Sequence, residues 1–248
     1  MTTVSTIIIT KNVATHIERC LQSVQWTDEI IVIDSGSTDE TLSICRKYTN
    51  HIHSADWPGF GVQKNRALDK ATGEWILAID ADEYLSEPLI ASIQQILANK
   101  PIHAAYAMHR LSKFCGQYLK HGDWKNDWVV RLFQKNQARF NDALVHERLI
   151  VNGSNGKLKG YMYHNSFSDF EEVLTKVNLY STLSAQQQFD QHKKSSLGKA
   201  IIRGVWTFVR CYFLKKGFLD GKMGFMMAVS AAEGTYYRYL KLMSLTKS

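Results

Sequence analysis

Glu74-Trp75-Ile76-Leu77-Ala78-Ile79-Asp80-Ala81-Asp82-Glu83 is the stretch from which the rest of the chain is read. Its apolar run, Trp75 to Ile79, is too short for a typical helix and is bulky throughout. Bounded by Thr72-Gly73 and an acidic turn, it reads as a strand buried on both faces. In an open parallel sheet, ligands bind beyond the carboxyl ends of the strands, so acids there stand at the mouth of a site. Like charges placed this closely repel unless a cation or hydrogen-bond donors lie among them. Asp80 and Asp82 are spaced to share one hard divalent ion, Mg2+ or Mn2+. Asp82-Glu83 also suit a helix N-terminus, because a helix-like segment runs from Leu85 to Leu97. From this stretch alone, both readings stand.

Strands and helices alternate before it. Ser5–Thr10 is a β-branched strand, Ala14–Val24 a helix with Ile17, Leu21 and Val24 on one face, and Glu29–Asp34 a second buried strand. Ser35-Gly36-Ser37-Thr38-Asp39 forms its turn, and a helix starting near Thr41 follows. His51–Ser54 is a weak third strand, and Gly61–Ala71 a basic helix. This alternation predicts an α/β fold, a doubly wound and mostly parallel sheet with right-handed crossovers. Three strand ends, at Thr10, Asp34 and Asp80, then bring polar residues to one edge. No GxGxxG follows the first strand and no GxxxxGK[ST] occurs, so a bound diphosphate needs a metal and basic side chains instead.

Composition narrows the class of partner. The 248 residues include 30 Lys+Arg against 23 Asp+Glu, a net charge of +7 that favours an anionic partner. Apolar residues at 45% suffice for a core. Cys20, Cys45, Cys115 and Cys211 are scattered without a CxxC pair, which reads as free thiols in a reducing compartment. Met-Thr-Thr-Val-Ser-Thr lacks the basic n-region of a secretory signal, and no apolar run approaches the roughly 18 residues of a membrane span. A cytoplasmic location is expected.

Four segments carry a resemblance: Thr10-Lys11-Asn12, Ile33–Asp39, Gln63-Lys64-Asn65-Arg66-Ala67-Leu68, and Trp75–Glu83. In order and spacing they resemble the family-2 nucleotide-diphosphosugar glycosyltransferases, inverting enzymes of the GT-A fold. Gly59-Phe60-Gly61-x-Gln63-Lys64-Asn65 and the terminal Asp-Ala-Asp-Glu are similar to bacterial lipopolysaccharide-core β-1,4-glucosyltransferases. The resemblance implies that Thr10 lies against the nucleoside and Asp34 binds the base, with Lys11 and Asn12 as further nucleotide contacts. Ser35 stands where many members carry a second Asp. Lys64, usually Arg in the family, is implied near the base and phosphates, Asp80 near ribose and metal, and Asp82 on the metal. Residues 1–100 would form the nucleotide-sugar half and 101–188 the acceptor-binding and catalytic half of one GT-A domain. Residues 189–248 would form a helical C-terminal extension.

An inverting transfer needs one base for the acceptor hydroxyl and a stabilised leaving group, not a carboxylate nucleophile. The resemblance implies an acid in a turn at about this distance beyond the Asp-x-Asp; in Arg139–Arg148, Glu147 is chosen as base with Asp142 in reserve, and His146 is placed to orient the acid or touch phosphate. The plain alternative for Glu147 is an ion pair with Arg148 or Arg131. Arg131 is also a candidate diphosphate contact, and the resemblance implies for His164 a later metal ligand or diphosphate contact, against a structural His among aromatics. Between two further strands, the loop Gly116–Asn126 offers Tyr118, His121 and Trp124 either to an acceptor sugar or to a core.

From Gly198 to Lys216, Lys199, Arg203 and Arg210 fall on one side of a helix whose other side is broadly apolar. That pattern predicts an in-plane helix on the inner-membrane surface, with packing against a partner as the alternative. The expected partners are a UDP-sugar donor, a lipid-linked oligosaccharide (lipopolysaccharide core) acceptor and anionic lipid. A nucleic acid is not expected, because the basic residues cluster beside an apolar helix. Two other readings remain: a sugar-nucleotide nucleotidyltransferase, which usually has a glycine-rich loop missing here, and a non-catalytic nucleotide-binding protein at the membrane.

Overall fold

In the computed structural model, residues 2–141 and 147–246 are described. They group into two compact units: Met1–Arg110 with Asn126–His164, and Leu111–Lys125 with Asn165–Ser248. These units divide the chain at places other than residues 100 and 188. The chain to His164 joins the N-terminal sheet, and the helix that follows joins the C-terminal helices.

In chain order the first unit contains β1 (Val4–Thr10), α1 (Ala14–Val24), β2 (Glu29–Asp34), α2 (Thr41–Cys45), β3 (Ile52–Ser54) and α3 (Phe60–Lys70). β4 (Trp75–Ala78), β5 (Glu83–Leu85) and α4 (Glu87–Ala98) come next, followed by β6 (Ala105–Phe114), whose last residues lie in the second unit. The second unit then holds β7 (Gln117–Tyr118). The chain returns through β8 (Trp128–Gln134), β9 (Ala138–Phe140), β10 (Leu149–Val151) and β11 (Asn155–Phe167). α5 (Phe170–Asp190), α6 (Leu197–Val209) and α7 (Gly221–Leu245) complete the second unit, with a short π-helical turn at Arg210–Leu214 after α6.

The main sheet runs β3-β2-β1-β4-β8-β6-β11-β5. β3, β2, β1 and β4 are parallel, as expected. Beyond them, β8 pairs antiparallel with β4 and β6, and β5 antiparallel with β11. The parallel half carries near-continuous buried runs, rich in β-branched residues, that crossovers cover on both faces. α1 and α4 cover one face through Ile17, Leu21, Leu89 and Ile93. α3 covers the other through Ala67 and Leu68. The fold is thus α/β and doubly wound, with an antiparallel second half.

Two local features differ from the sequence reading. Glu83–Leu85 is an edge strand rather than a helix start; α4 begins later, capped by the Ser86 hydroxyl and opened by Pro88. The polar aromatic loop turns inward within the second unit. Trp124 stacks parallel to Phe167 at 5.9 Å, and His121 Nδ1 lies 2.9 Å from Asp220 Oδ1. Those contacts hold the second unit together, which is the core alternative read for the loop. The four cysteines are free, Cys115 being only half-buried.

Candidate active site

The parallel register sets the site. Thr10 pairs with Asp34 across β1 and β2, and Ile7 with Ala78 across β1 and β4. Asp34, Thr10 and Asp80 therefore leave the same carboxyl edge, as read from the sequence.

At the nucleoside end, Asp34 is 1% exposed. Its Oδ2 accepts the Gly36 and Ser37 amides, each at 2.9 Å, and its Oδ1 accepts the Thr10 and Ser37 hydroxyls. Four donors fill a carboxylate's acceptor positions. Asp34 therefore builds the turn, with its acceptor positions taken up within the protein. Asn12 works similarly. It adopts φ +52°, a conformation Asn tolerates, and its Oδ1 accepts the Thr38 amide at 2.8 Å, tying the two loops together. Lys11 beside it is exposed, with its charge open to an anion.

At the acidic end, buried cations gather the carboxylates. Lys64 Nζ lies 2.8 Å from both Asp80 Oδ1 and Glu147 Oε1. Arg131 Nη2 contacts Asp80 Oδ2 and, at 2.7 Å, Glu83 Oε1. Glu83 is 0% exposed; its Oε2 accepts the Asp80 amide at 3.0 Å, and Arg110 approaches its Oε1 at 3.3 Å. Burial alone raises the Asp80 pKa, but Arg131 and Lys64 outweigh it and hold the carboxyl well below the usual carboxylate range. Burial likewise works against the Arg131 charge, and Asp80 and Glu83 reverse that.

Local sequence explains these placements. Between Tyr106–Leu132 and Ala107–Val130 the β6–β8 register slips, leaving Arg131 as the extra residue of a β-bulge. Such bulges re-aim one side chain, here onto two acids. Lys64 reaches Glu147 because the chain at Asn141 presses against α3. A Cβ on Gly61 would stand 1.9 Å from the Asn141 carbonyl oxygen, so only glycine admits that approach. Asn65 fastens the same strand end, exchanging hydrogen bonds with the Phe140 backbone at 2.9 and 3.0 Å.

Several expected roles change accordingly. Arg131 Nη2 is taken up by two carboxylates, so the side chain positions Asp80. Lys64 bridges two acids. Asp80, expected on a metal, has a cation against each oxygen. Among the described residues, no three of His, Cys, Asp and Glu are grouped to hold a metal. Asp82 and His164 nonetheless come together, Oδ2 to Nε2 at 3.4 Å. A carboxylate and an imidazole suit a divalent ion that takes its remaining ligands from diphosphate and water. The charges agree: Asp80, Asp82, Glu83, Asp127 and Glu147 outnumber Lys64, Arg110 and Arg131, an excess of negative charge that a divalent cation would offset. Asp142 and His146 lie outside the described residues.

Arg110 was given no role from sequence, while Glu83 and Gly61 were read only as members of the strand-end acidic motif and of Gly59-Phe60-Gly61.

Comparison with known proteins follows the same outline. A family model described as Glycosyl transferase family 2 matches residues 5–152. An uncharacterized glycosyltransferase of Rickettsia typhi is 31% identical over 258 residues, covering 99% of this chain and 88% of its own. A Rhizobium meliloti protein named lipopolysaccharide core biosynthesis glycosyltransferase LpsC is 28% identical, covering 92% and 87%. Among solved structures, S. aureus TarS 1–349 in complex with UDP-GlcNAc aligns over 99% of this chain and 92% of that one, at 15% identity and a TM-score of 0.49.

Proposed function

The chain belongs to glycosyl transferase family 2, and from that premise we propose an inverting hexosyltransferase that moves glucose from UDP-glucose onto a lipopolysaccharide core sugar or similar lipid-linked glycan. The observation that carries this reading is the Lys64 ammonium, 2.8 Å from both Asp80 and Glu147. It joins the acid of the strand-end motif to a carboxylate 67 positions later, as a donor site and a base must be joined. In a single displacement the acceptor oxygen bonds to the anomeric carbon as the bond to the diphosphate oxygen breaks. Glu147 takes the hydroxyl proton, and UDP leaves with the bonding electrons. Asp82 and His164 would hold the metal, which when bound supplies positive charge to the leaving diphosphate. Thr10, Lys11, Asn12 and the turn shaped by Asp34 would cradle the nucleoside. The UDP choice follows the motif resemblance, and the acceptor choice follows the name of the R. meliloti relative.

UDP-glucose with Mn2+ is expected to raise the melting temperature on the order of 5–10 °C at a hundredfold excess over Kd. Chelation, or Asp82→Ala, should remove most of that shift. If no nucleotide sugar moves the transition with metal present, the donor reading is lost.

The second unit supports membrane contact. On α6, Ala200, Gly204 and Thr207 are buried, while Ile202 is 68% and Trp206 51% exposed. Lys199 and Arg203 flank that apolar arc; Arg210 turns instead to Asp123 at 2.7 Å. No helix among the described residues is long and apolar enough to cross a membrane. An exposed apolar stripe edged with cations fits the surface of anionic lipid. The protein should therefore co-sediment with vesicles containing phosphatidylglycerol, and Ile202→Ser with Trp206→Ser should release it. Equal recovery in the supernatant with and without vesicles at low salt would rule this out.

A further inference from the structure

Asp56-Trp57-Pro58-Gly59-Phe60 leads into α3, and the site as described leaves it without a role. Large apolar side chains are left open at few places in the described first unit: Trp57, Phe60, Ile102, Ile150 and Tyr161. Trp57 is 43% and Phe60 40% exposed, and their rings meet edge to face with centroids 4.7 Å apart. Such a contact covers a single ring face and leaves the others open to a ligand.

The pair is held in place. Gly59 takes φ +124°, a conformation that favours glycine, to turn the chain into the helix. One nitrogen of Arg66, Nη1, donates to the Asp56 carbonyl at 2.9 Å, pairs with the Asp56 carboxylate at 2.9 Å, and reaches Gln63 Oε1 at 2.9 Å. A platform fixed in advance loses less freedom on binding.

Its location matters most. Phe60 and Lys64 are four residues apart on α3, hence on one face and one turn apart. Lys64 holds Glu147, and a Cβ on the intervening Gly61 would lie 3.5 Å from the Glu147 Cβ. An acceptor must bring a hydroxyl within hydrogen-bond reach of the base. The sugar ring bearing that hydroxyl then needs a surface close by, and Phe60 stands one turn of α3 from the lysine that holds the base. Sugar sites combine an aromatic face for the C–H side of the ring with a few polar groups for its hydroxyls. The Asp56 carboxylate, 78% exposed, supplies such a group beside Trp57.

We propose that Trp57 and Phe60 form the stacking platform for the acceptor's sugar ring, with Asp56 receiving one of its hydroxyls. This rests on Glu147 as the base. A pyranose with an unbroken C–H face is the ligand class, which deepens the glycan-acceptor reading without choosing a linkage.

The test compares Trp57→Ala and Trp57→Phe with wild type in two separate measurements. One is titration calorimetry with deacylated lipopolysaccharide core oligosaccharide; the other is the melting shift caused by UDP-glucose and Mn2+. Trp57→Ala should weaken oligosaccharide binding about tenfold, and Trp57→Phe should restore most of it. The nucleotide shift should be the same in all three proteins. In turnover, Trp57→Ala should raise the acceptor KM and leave the donor KM in place. Equal oligosaccharide affinity in Trp57→Ala and wild type overturns the platform, as does a wild type that binds no oligosaccharide. A matching loss of the nucleotide shift in Trp57→Ala also overturns it, since that marks general damage. If wild type shows no nucleotide shift but Trp57→Ala still loses the oligosaccharide, the donor reading fails while the platform stands.

Discussion

Glu147→Gln should bind UDP-glucose within a few-fold of wild type and lose turnover by about two to four orders of magnitude, the usual share of a general base. Glutamine keeps the size of the side chain and an oxygen that can still accept from Lys64, now 2.8 Å away. What it lacks is the ability to take a proton at neutral pH. The ion pair between Lys64 and Asp80, also at 2.8 Å, remains to hold the strand-end turn. Donor binding should therefore survive while the transition state loses its proton acceptor. Kinetically, kcat and kcat/KM should fall together, the signature of an interaction made in the transition state. Asp142→Asn is the matched control. Should that variant lose turnover and Glu147→Gln keep it, the base has been misassigned.

The sequence revealed most where side-chain periodicity and strand ends carry the information. β1, β2 and β4 each read as apolar runs ending in a polar residue, and parallel pairing then had to bring Thr10, Asp34 and Asp80 to one edge. Glu147 was chosen from where members of the resembled family carry an acid, and Lys64 Nζ lies 2.8 Å from it. The direction of β8 and the slip that ejects Arg131 were not legible, because a bulge changes backbone register without changing composition. Burial of Glu83 was equally hidden. It sits beside two acids in an exposed-looking run, yet an edge strand turns it onto Arg131 and Arg110. Trp124, for which the sequence left a ligand contact and a core position both open, sets its ring parallel to Phe167 in the core of the second unit.

Arg131→Met should lower the melting temperature by roughly 10 °C, from a loss of about 3–5 kcal/mol when one partner of a buried ion pair is removed. The loss falls mainly on Glu83. At 0% exposure, it would keep the Asp80 amide at 3.0 Å and the longer Arg110 contact at 3.3 Å, but lose its closest cation at 2.7 Å. Asp80 would retain Lys64 alone. Methionine fills the stem's volume, so the loss reflects charge more than a cavity. If that account is right, removing the stranded charge should restore stability. Arg131→Met with Glu83→Gln keeps an acceptor for the Asp80 amide and should melt several degrees above the single variant, with a coupling of about 0.5–3 kcal/mol in urea unfolding. Activity should not return with it, because the Asp80 carboxylate is still missing the cation that fixes it. A single variant melting within a degree or two of wild type would mean that Arg110 and Lys64 already balance these acids, and that the bulge at Arg131 serves neither the fold nor the site.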